Sequence, residues 1–369
     1  MGYITTIWES TAGKTIIATA AGGALIYFLS LARKQQPRHS YRSTASALRD
    51  EGEEYVGIVP VSVNYHFSRK CNKTCTFCFH TEKSSAVAKD HEWKKGLKML
   101  KEAGMRKINF AGGEPFLYKS LLQRMVEYCK KDLQLEAVSI ISNGTLITRN
   151  RLEQMAPYVD VLGVSCDSFN ERTNEEIGRG TGDNFNKLLQ VREWCRELNI
   201  KFKLNTVICT LNWEEDLAAR IAELDPFRWK VFQVLVVGGE NDGTAPQTEK
   251  EKKHQKRTAD ATKLLITREQ FDQFCAKHKH LECFVPEPND LMASSYLILD
   301  EFLCFLDKGS GKEKQSASIL DVGVEAALKQ IRWDQAAFKN RGGLYDWSKD
   351  GSGGMEEGSC GELPQELAF

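Results

Sequence analysis

The sequence predicts an α/β protein whose centre is a partial (βα)6 barrel of the TIM type, with an N-terminal membrane-associated helix and a C-terminal extension. Three observations support this prediction. From Val61 onward, apolar runs of strand length alternate with helix-length amphipathic segments, and this unit recurs six times. Units in this order favour a parallel sheet with right-handed crossovers. Six units are too few for a closed barrel of eight, and a polar stretch at 238–263 then breaks the alternation.

The expected elements follow one another along the chain. Strands are expected at Val61–Tyr65, Lys107–Ala111, Ala137–Ser142, Val161–Cys166, Lys201–Val207 and Trp229–Val237. Helices are expected at Asp90–Ala103, Leu121–Lys131, Leu152–Ala156, Phe185–Glu197, Trp213–Leu224 and Arg268–His278. The prolines of Pro286–Asn289 predict a turn, and an apolar run follows at Ser295–Leu299.

Composition divides the chain into segments with different expected roles. We expect a membrane-anchor or amphipathic segment at 1–36, a linker at 37–54, the barrel core at 55–240, a flexible lysine-rich insertion at 241–263, a C-terminal extension at 264–349 that completes the substrate site, and a disordered tail at 350–369. The run Glu249–Arg257 predicts a solvated loop, with a basic contact to a membrane or nucleic acid as the alternative.

The N-terminal segment carries the expected membrane contact. Thr15–Ala32 holds 18 residues without a charge, and Lys14, Arg33 and Lys34 flank it. A spanning helix needs about 20 apolar residues, so the run predicts either an anchor or a helix lying on the membrane surface. The basic flank favours a cytosolic location for the rest of the chain. A secretory signal and an N-myristoylation pattern at Met1–Gly2 are weaker alternatives.

Charge and cysteine usage limit the class of protein. Lys+Arg and Asp+Glu both number 50, so no overall basic field points to a nucleic-acid partner. Eleven cysteines are present, but only three of them cluster. Scattered free thiols indicate a reducing compartment.

The cluster of cysteines is CNKTCTFC, with Cys71, Cys75 and Cys78 in C-x3-C-x2-C spacing. Three thiolates on one loop can hold a [4Fe-4S] cluster and leave one iron open. An open iron can bind S-adenosylmethionine (SAM), which the reduced cluster splits to give a 5′-deoxyadenosyl radical. The spacing and the aromatic Phe77 are typical of the radical SAM superfamily. The alternative is a zinc site completed by His80, although His80 stands only two residues after Cys78.

Polar residues at the ends of the next strands are candidates for binding SAM. Catalytic groups in parallel α/β folds gather at the carboxyl ends of strands. Glycine permits close backbone approach, and a glutamate can accept from the methionine amino group. A guanidinium can clamp a carboxylate, while short polar side chains could instead cap a helix. The candidates are Gly112, Gly113, Glu114, Asn143, Ser165 and Arg179.

A second group of candidates is cationic. Lys107, Lys203, Arg228 and Lys230 lie in or at the start of expected strands. A lysine inside a core strand is costly unless it meets an anion, so these residues predict a polyphosphate site. The alternative is that they face solvent at strand ends.

The motifs together resemble the viperin family of radical SAM enzymes over residues 55–349. The resemblance rests on SVNYHFSRKCNKTCTFCFHTEKSS, GMRKINFAGGEPFL, VSIISNGTLI, SCDSFNE, IGRGTG, RWKVFQVL, SYLILDEF, SILDVGVEAA and RGGLYDWSK. It implies conversion of CTP and/or UTP to the 3′-deoxy-3′,4′-didehydro nucleoside triphosphate, an antiviral chain terminator. The radical would take the 4′ hydrogen, and the 3′-hydroxyl would leave as water.

The resemblance also implies roles for individual residues and partners. The three cysteines would hold the cluster, and the four cations would bind the triphosphate. SAM would be bound by Gly112, Gly113, Glu114, Asn143, Ser165 and Arg179. Asn64 and Tyr296 would line the nucleotide pocket, with Tyr296 also among the catalytic residues. An electron donor and the cytosolic iron–sulfur assembly machinery would be partners. The expected location is the cytosolic face of the endoplasmic reticulum or a lipid droplet.

The chain departs from the family pattern at four places. One is the N-terminal segment, which is shorter and more apolar than the amphipathic anchor of the animal members. Ala111 stands where the family usually has a serine, the insertion around Glu249–Arg257 is longer than in the animal proteins, and the chain runs past Trp347 to Phe369, whereas animal members end in a tryptophan that recruits the assembly machinery. Two other functions remain open at this stage. One is a radical SAM enzyme that modifies a peptide or tRNA, and the other is a membrane-anchored interaction protein with a vestigial cluster.

Overall fold

A computed structural model describes residues 59–182, 184–244, 259–307 and 314–350, together with three short strands near the N-terminus. The chain forms two compact units, Met1–Val56 and Gly57–Phe369.

The first unit contains an antiparallel sheet in the order β1-β2-β3, made of Thr5–Glu9, Thr15–Ala21 and Ala24–Leu25. Strands therefore occupy residues where the sequence predicts the start of a membrane helix. The threonines and isoleucines of β2 are β-branched and favour extended backbone, which explains this difference. The remainder of the expected helix lies outside the described residues. Within the described residues, none of the helices has the length and apolar character needed to cross a membrane.

The second unit is built on a mixed sheet whose parallel part is large. Its strands are β4 Ser62–His66, β5 Lys107–Ala111, β6 Ala137–Ser142, β7 Val161–Ser165, β8 Lys201–Ile208, β9 Arg228–Gln233, β10 Phe284–Glu287, β11 Ile298–Leu299, β12 Cys304–Leu306 and β13 Gln315–Ser318. Their order is β10-β9-β8-β7-β6-β5-β4-β11-β12-β13. Every neighbouring pair from β10 to β11 is parallel, and β12 and β13 are antiparallel additions.

The helices lie between and after these strands. They are α1 Asp90–Glu102, α2 Lys119–Lys131, α3 Arg149–Met155, α4 Glu171–Ile177, α5 Asn184–Glu197, α6 Ala218–Leu224, α7 Arg268–His278, α8 Asn289–Ser295, α9 Ile319–Val322, α10 Val324–Leu328 and α11 Gln335–Asn340. Short 3-10 turns occur at Pro115–Tyr118, Ala156–Tyr158 and Ala261–Leu264. The predicted parallel α/β fold with six strand–helix units is confirmed.

Side chains of the parallel strands alternate between two faces because the strand period is two residues. Val63, Tyr65, Ile108 and Phe110 are fully buried in the main hydrophobic core. The residues between them point to the opposite face, where side chains from β4 through β9 line one cavity. Six strands in a row can line a single cavity with the same face only if the sheet curves around that cavity, as in a partial barrel.

Two sequence predictions fail at the C-terminal side. Pro286 and Glu287 belong to β10 rather than to a turn. A proline cannot donate to the sheet ladder, but β10 is an edge strand, where a missing N–H is tolerated. The helix expected from Trp213 begins only at Ala218, since Thr210 to Glu214 form turns held by the Asn212 side chain.

The lysine-rich run Glu249–Arg257 lies outside the described residues. The two ends of the expected flexible insertion are packed, however. Asn241 is fully buried and donates to the carbonyl of Phe77 at 2.8 Å, and Ala261 is fully buried as well.

Candidate functional site

The candidate site is a cavity of about 460 Å³ on the inner face of the curved sheet. The strands and the cysteine loop together supply most of its wall, and the C-terminal extension supplies Met292, Tyr296, Arg341 and Tyr345 among others. Most sequence-predicted site residues meet here, although they come from segments separated by more than 200 residues. One end holds the cysteine loop and the other holds a group of lysines.

The cysteine loop follows β4 and opens into the cavity. Cys71, Cys75 and Cys78 are half-buried free thiols, and all three line the cavity wall. Backbone hydrogen bonds fix the loop to the end of α4, because Thr74 N donates to Gly178 O at 3.2 Å and Thr76 N donates to Ile177 O at 2.9 Å.

Three cysteine thiols on one loop are a donor set that suits an iron–sulfur cluster. Burial raises the pKa of all three thiols, that of Cys78 to about 12. A bound iron–sulfur cluster requires thiolates, so its positive iron would supply the charge that stabilises them here. Within the described ranges, no three His, Cys, Asp or Glu side chains stand together in a geometry that would hold one metal ion. His80 instead packs edge-on against His66, with ring centroids 4.6 Å apart, and lies 3.9 Å from Glu301.

Gly112 and Gly113 bring the end of β5 against the start of the cysteine loop. A Cβ on Gly113 would lie 1.9 Å from the carbonyl oxygen of Lys70, and Gly112 has a φ of +129°. Gly113 N donates to Ser68 O at 2.7 Å, and Glu114 N donates to Lys70 O at 2.9 Å. The close approach that the sequence suggested is therefore, in the structure, an approach to the loop's own backbone.

Glu114 is a positioning residue rather than a wall residue. Its Oε1 accepts from Phe116 N at 3.0 Å and from Ser142 Oγ at 2.8 Å, while Oε2 accepts from Asn143 N at 2.7 Å. The residue is 1% exposed and does not line the cavity, and burial raises the pKa of its carboxyl. In this structure the Glu114 carboxylate ties the ends of β5 and β6 together, and its contact with the methionine amino group of SAM stays a prediction.

Asn143, Ser165 and Arg179 do reach the cavity wall. Asn143 Nδ2 donates to Asn72 at 2.8 Å and lies 3.8 Å from the sulfur of Cys71. Arg179 forms a 2.5 Å ion pair with the fully buried Asp167. Sequence reasoning missed Asp167, although it follows β7 by two residues.

The opposite end of the cavity is cationic. Lys107, Lys203 and Lys230 line the wall and are nearly buried. Lys107 donates to the hydroxyl of Tyr345 at 3.0 Å. Burial lowers the pKa of Lys203 to about 8, with Lys107 nearby adding to the effect. Among the described residues, Lys203 forms no ion pair or side-chain hydrogen bond, so its buried amine faces the cavity, with the charge of Glu287 acting on it from nearby.

The C-terminal extension adds to this group. Lys230 forms an ion pair with Glu287 and donates to the Tyr296 hydroxyl at 2.9 Å. Arg341 donates to the same Glu287 at 3.2 Å, and its guanidinium lies 3.9 Å from the centroid of the Tyr296 ring. Sequence reasoning assigned no role to Arg341 or Glu287, although the RGGLYDWSK motif contained the arginine.

Arg228 is the one predicted cation that does not line the cavity. It donates to Gly342 O at 3.2 Å and packs under the Tyr345 ring at 4.2 Å. Its charge still acts on the site. Burial is the largest cause that lowers the pKa of Lys107, and the charge of Arg228 is the next largest.

Between the two ends, the wall carries neutral polar side chains. Asn64 and Asn109 line it at neighbouring positions of β4 and β5, Asn205 lines it from β8, and Ala111 lines it beside His66. Asn64 donates to Leu297 O at 3.1 Å. Asn205 Oδ1 is buried without a hydrogen-bond partner among the described residues, and it faces a space that a polar ligand could fill.

Comparison with known proteins adds the family. Residues 65–221 match the model of the radical SAM superfamily. The chain is 49% identical over 303 residues to the S-adenosylmethionine-dependent nucleotide dehydratase RSAD2 of Danio rerio, covering 81% of each chain. It is also 33% identical over 286 residues to the S-adenosylmethionine-dependent nucleotide dehydratase of a Thermoplasmatales archaeon, covering 78% of this chain and 96% of the relative.

Solved structures agree on the fold. SuiB from Streptococcus suis bound to S-adenosylmethionine superposes with a TM-score of 0.53 at 16% identity, covering 76% of this chain and 67% of that one. Native anSMEcpe with bound AdoMet superposes with a TM-score of 0.54 at 14% identity, covering 81% and 85%. The sequence motifs, the parallel barrel and these relatives agree, and the chain belongs to the S-adenosylmethionine-dependent nucleotide dehydratases, the viperin family of radical SAM enzymes with SAM and a [4Fe-4S] cluster as cofactors.

Proposed function

We propose that this protein is a radical SAM nucleotide dehydratase whose substrate is CTP and/or UTP and whose product is the 3′-deoxy-3′,4′-didehydro nucleoside triphosphate. One observation carries the proposal. A single cavity has three cysteine thiols at one end and the buried ammonium groups of Lys107, Lys203 and Lys230 at the other.

The spacing of the two ends suits a nucleotide. Lys107 begins β5 and Ala111 ends it, beside the cysteine loop. Four residues of strand rise about 13 Å, which is close to the length of a ribose with an extended triphosphate. A triphosphate held by the lysines would therefore place its ribose near the cysteine end.

The chain's own residues would divide the work as follows. Asn143, Ser165 and Arg179 would orient SAM beside the cysteines, because they share that end of the wall. The lysines would neutralise the triphosphate, and Tyr296, which accepts from Lys230, would stand at the border of the phosphate region. Glu114 and Asp167 would hold Asn143 and Arg179 in place.

The cofactors would supply, when bound, a 5′-deoxyadenosyl radical that takes one hydrogen atom. The curved sheet would keep the 4′ hydrogen of the ribose as the accessible one, since the phosphates fix the other end of the substrate. Loss of the 3′-hydroxyl as water, with one electron and one proton, completes the product. An electron donor is therefore a required partner, and the cytosolic iron–sulfur assembly machinery would load the cluster.

Isotope transfer tests the reaction directly. CTP carrying deuterium at C4′ is expected to pass that deuterium to 5′-deoxyadenosine, and the nucleotide product is expected to be lighter than the labelled substrate by that deuterium and one hydroxyl group. Deuterium that remains in the nucleotide while 5′-deoxyadenosine forms would contradict abstraction from C4′.

We also propose that the N-terminal segment attaches the enzyme to the cytosolic face of the endoplasmic reticulum or a lipid droplet. The uncharged run Thr15–Ala32 with its basic flank supports this proposal. Flotation with vesicles should retain the full chain and lose a variant that lacks residues 1–36, and equal flotation of both would contradict it.

A further inference from the structure

The phosphate end of the cavity has an unusual charge balance. Four cations line this end, Lys107, Lys203, Lys230 and Arg341, and a fifth, Arg228, packs against the Tyr345 ring beside them. The carboxylate that pairs with two of these cations is Glu287, just outside the cavity wall. The formal excess is four positive charges. A fully ionised nucleoside triphosphate carries about four negative charges near neutral pH, because the terminal phosphate has a second pKa near 6.

The carboxylate is not placed to hold a metal ion against the phosphates. Glu287 is 1% exposed and does not line the cavity. Its Oε1 accepts from both Lys230 and Arg341, and its Oε2 is buried without a hydrogen-bond partner among the described residues. Magnesium in nucleotide sites is usually held by one or two carboxylates together with the phosphates.

The rest of the wall offers no substitute within the described residues. Glu82 is the one carboxylate on it, and Glu82 belongs to the segment after Cys78 at the opposite end. At the phosphate end, the neighbours of the cations are the rings and hydroxyls of Tyr296 and Tyr345. Magnesium also keeps several waters in octahedral geometry, and these aromatic walls give that shell no carboxylate oxygens.

We infer that the site takes the nucleoside triphosphate as the metal-free anion rather than as its magnesium complex. This inference rests on the proposed function, because it concerns the form of the same substrate. A magnesium complex carries two fewer negative charges, so it would leave part of the buried cation group unpaired. Burying an uncompensated charge is costly, and like charges held together repel.

Equilibrium dialysis of labelled CTP against the reconstituted holoenzyme with SAM, without oxygen, tests the inference. One series contains EDTA and the other excess magnesium chloride, with ionic strength matched by sodium chloride. If a tenth of the nucleotide stays metal-free, the apparent Kd should rise about tenfold.

Two variants sharpen the result. Lys203→Met should weaken binding in EDTA and narrow the difference between the two series, because it removes one of the cations that favour the free anion. Lys98→Met removes a charge from the exposed face of α1, outside the cavity, and should leave both series unchanged.

Equal or tighter binding in magnesium would overturn the inference. If Glu287→Gln abolished a gain from magnesium, Glu287 would be a metal ligand instead of a partner for Lys230 and Arg341. Failure to bind CTP or UTP in either series would contradict the proposed function as well, and the two failures are therefore distinguishable.

Discussion

Lys203 illustrates how a single residue links the fold to the chemistry of the site. It lies within β8, where alternation turns it away from Phe202 and Leu204 and into the cavity. It is 8% exposed, and burial lowers its pKa to about 8, whereas an ordinary lysine titrates near 10.5. A buried amine of this kind binds an anion most strongly when it is protonated.

Nucleotide affinity should therefore fall as pH rises through about 8. In the free protein, Lys203 loses its proton above its lowered pKa, while a bound triphosphate raises that pKa, so binding takes up a proton. The effect approaches tenfold per pH unit for one group. Lys107 and Lys230, whose pKa values burial also lowers, would add to it.

Dialysis between about pH 7.5 and 9.5, where the terminal phosphate stays ionised, measures this dependence. Lys203→Arg should flatten the profile, because a guanidinium stays charged throughout. An affinity that rises with pH would contradict the assignment.

The cysteines give a second prediction at this scale. Cys75→Ala should abolish the visible absorbance of the cluster and all cleavage of SAM, since two thiolates cannot replace three on this loop. Cys283→Ala removes a half-buried thiol that does not line the cavity, and should keep both signals. Cluster absorbance that survives in Cys75→Ala would remove this residue from the ligand set.

At the scale of elements, the junction between β5 and the cysteine loop sets the geometry of the site. Gly112 and Gly113 allow the two backbones to touch, and the hydrogen bond from Gly113 N to Ser68 O holds them at 2.7 Å. Because β5 also carries Lys107 at its other end, this one strand connects the two halves of the cavity.

Gly113→Ala should disturb that junction. The added Cβ would meet the Lys70 carbonyl, which is backbone and cannot move aside freely. Overpacking of this kind costs about 1–3 kcal/mol, and it should also lower the cluster content of the reconstituted protein. Gly182→Ala is the matched control, because no atom outside its chain neighbours lies within 4 Å of its added Cβ and it carries only the strain of a φ of +118°. Thermal unfolding and iron content measure both effects, and equal loss in the two variants would contradict the role of the junction.

The elements themselves were largely predictable where the pattern is local. Lys107–Ala111, Ala137–Ser142 and Arg268–His278 have the bounds that sequence periodicity indicates. Pro286 misled the prediction because its neighbours suggest a turn, and only the sheet order reveals an edge strand there.

The site was predictable in part for the same reason. The cysteines and lysines could be identified because each stands in a pattern that is unusual on its own. Arg341 and Glu287 could not, because they meet Lys230 only after the C-terminal extension folds back over the barrel. The hydrogen bonds that Ser142 and Asn143 donate to Glu114 could not be predicted either, because sequence does not show that the ends of β5 and β6 meet at this carboxylate.

At the scale of the molecule, the C-terminal extension closes the cationic end of the cavity. Trp347 is 4% exposed and packs with Ala137 and Phe338, and its neighbour Asp346 pairs with Lys201 at 3.0 Å. Tyr345 covers Lys107 and Arg228. The extension therefore shields the cations from water, which strengthens their attraction for an anion.

Removal of residues 341–369 should weaken nucleotide binding and spare the cluster. The truncation deletes Arg341 and Tyr345, and a charged hydrogen bond is worth enough to change affinity by about tenfold or more. A shorter truncation, of residues 351–369, keeps both side chains and serves as the control. The longer truncation should lose nucleotide affinity and keep cluster absorbance, whereas the shorter one should keep both. Loss of both signals in the longer truncation would indicate general unfolding instead.

The most direct test of the central claim is nucleotide-dependent cleavage of SAM. The reconstituted and reduced enzyme receives SAM with CTP, UTP, ATP or GTP in separate reactions without oxygen, and 5′-deoxyadenosine is measured. Strong stimulation by CTP or UTP, with a product lighter by one water and altered at C3′ and C4′, is the predicted result. Cleavage that no nucleotide stimulates would contradict the account and point to a peptide or RNA substrate instead.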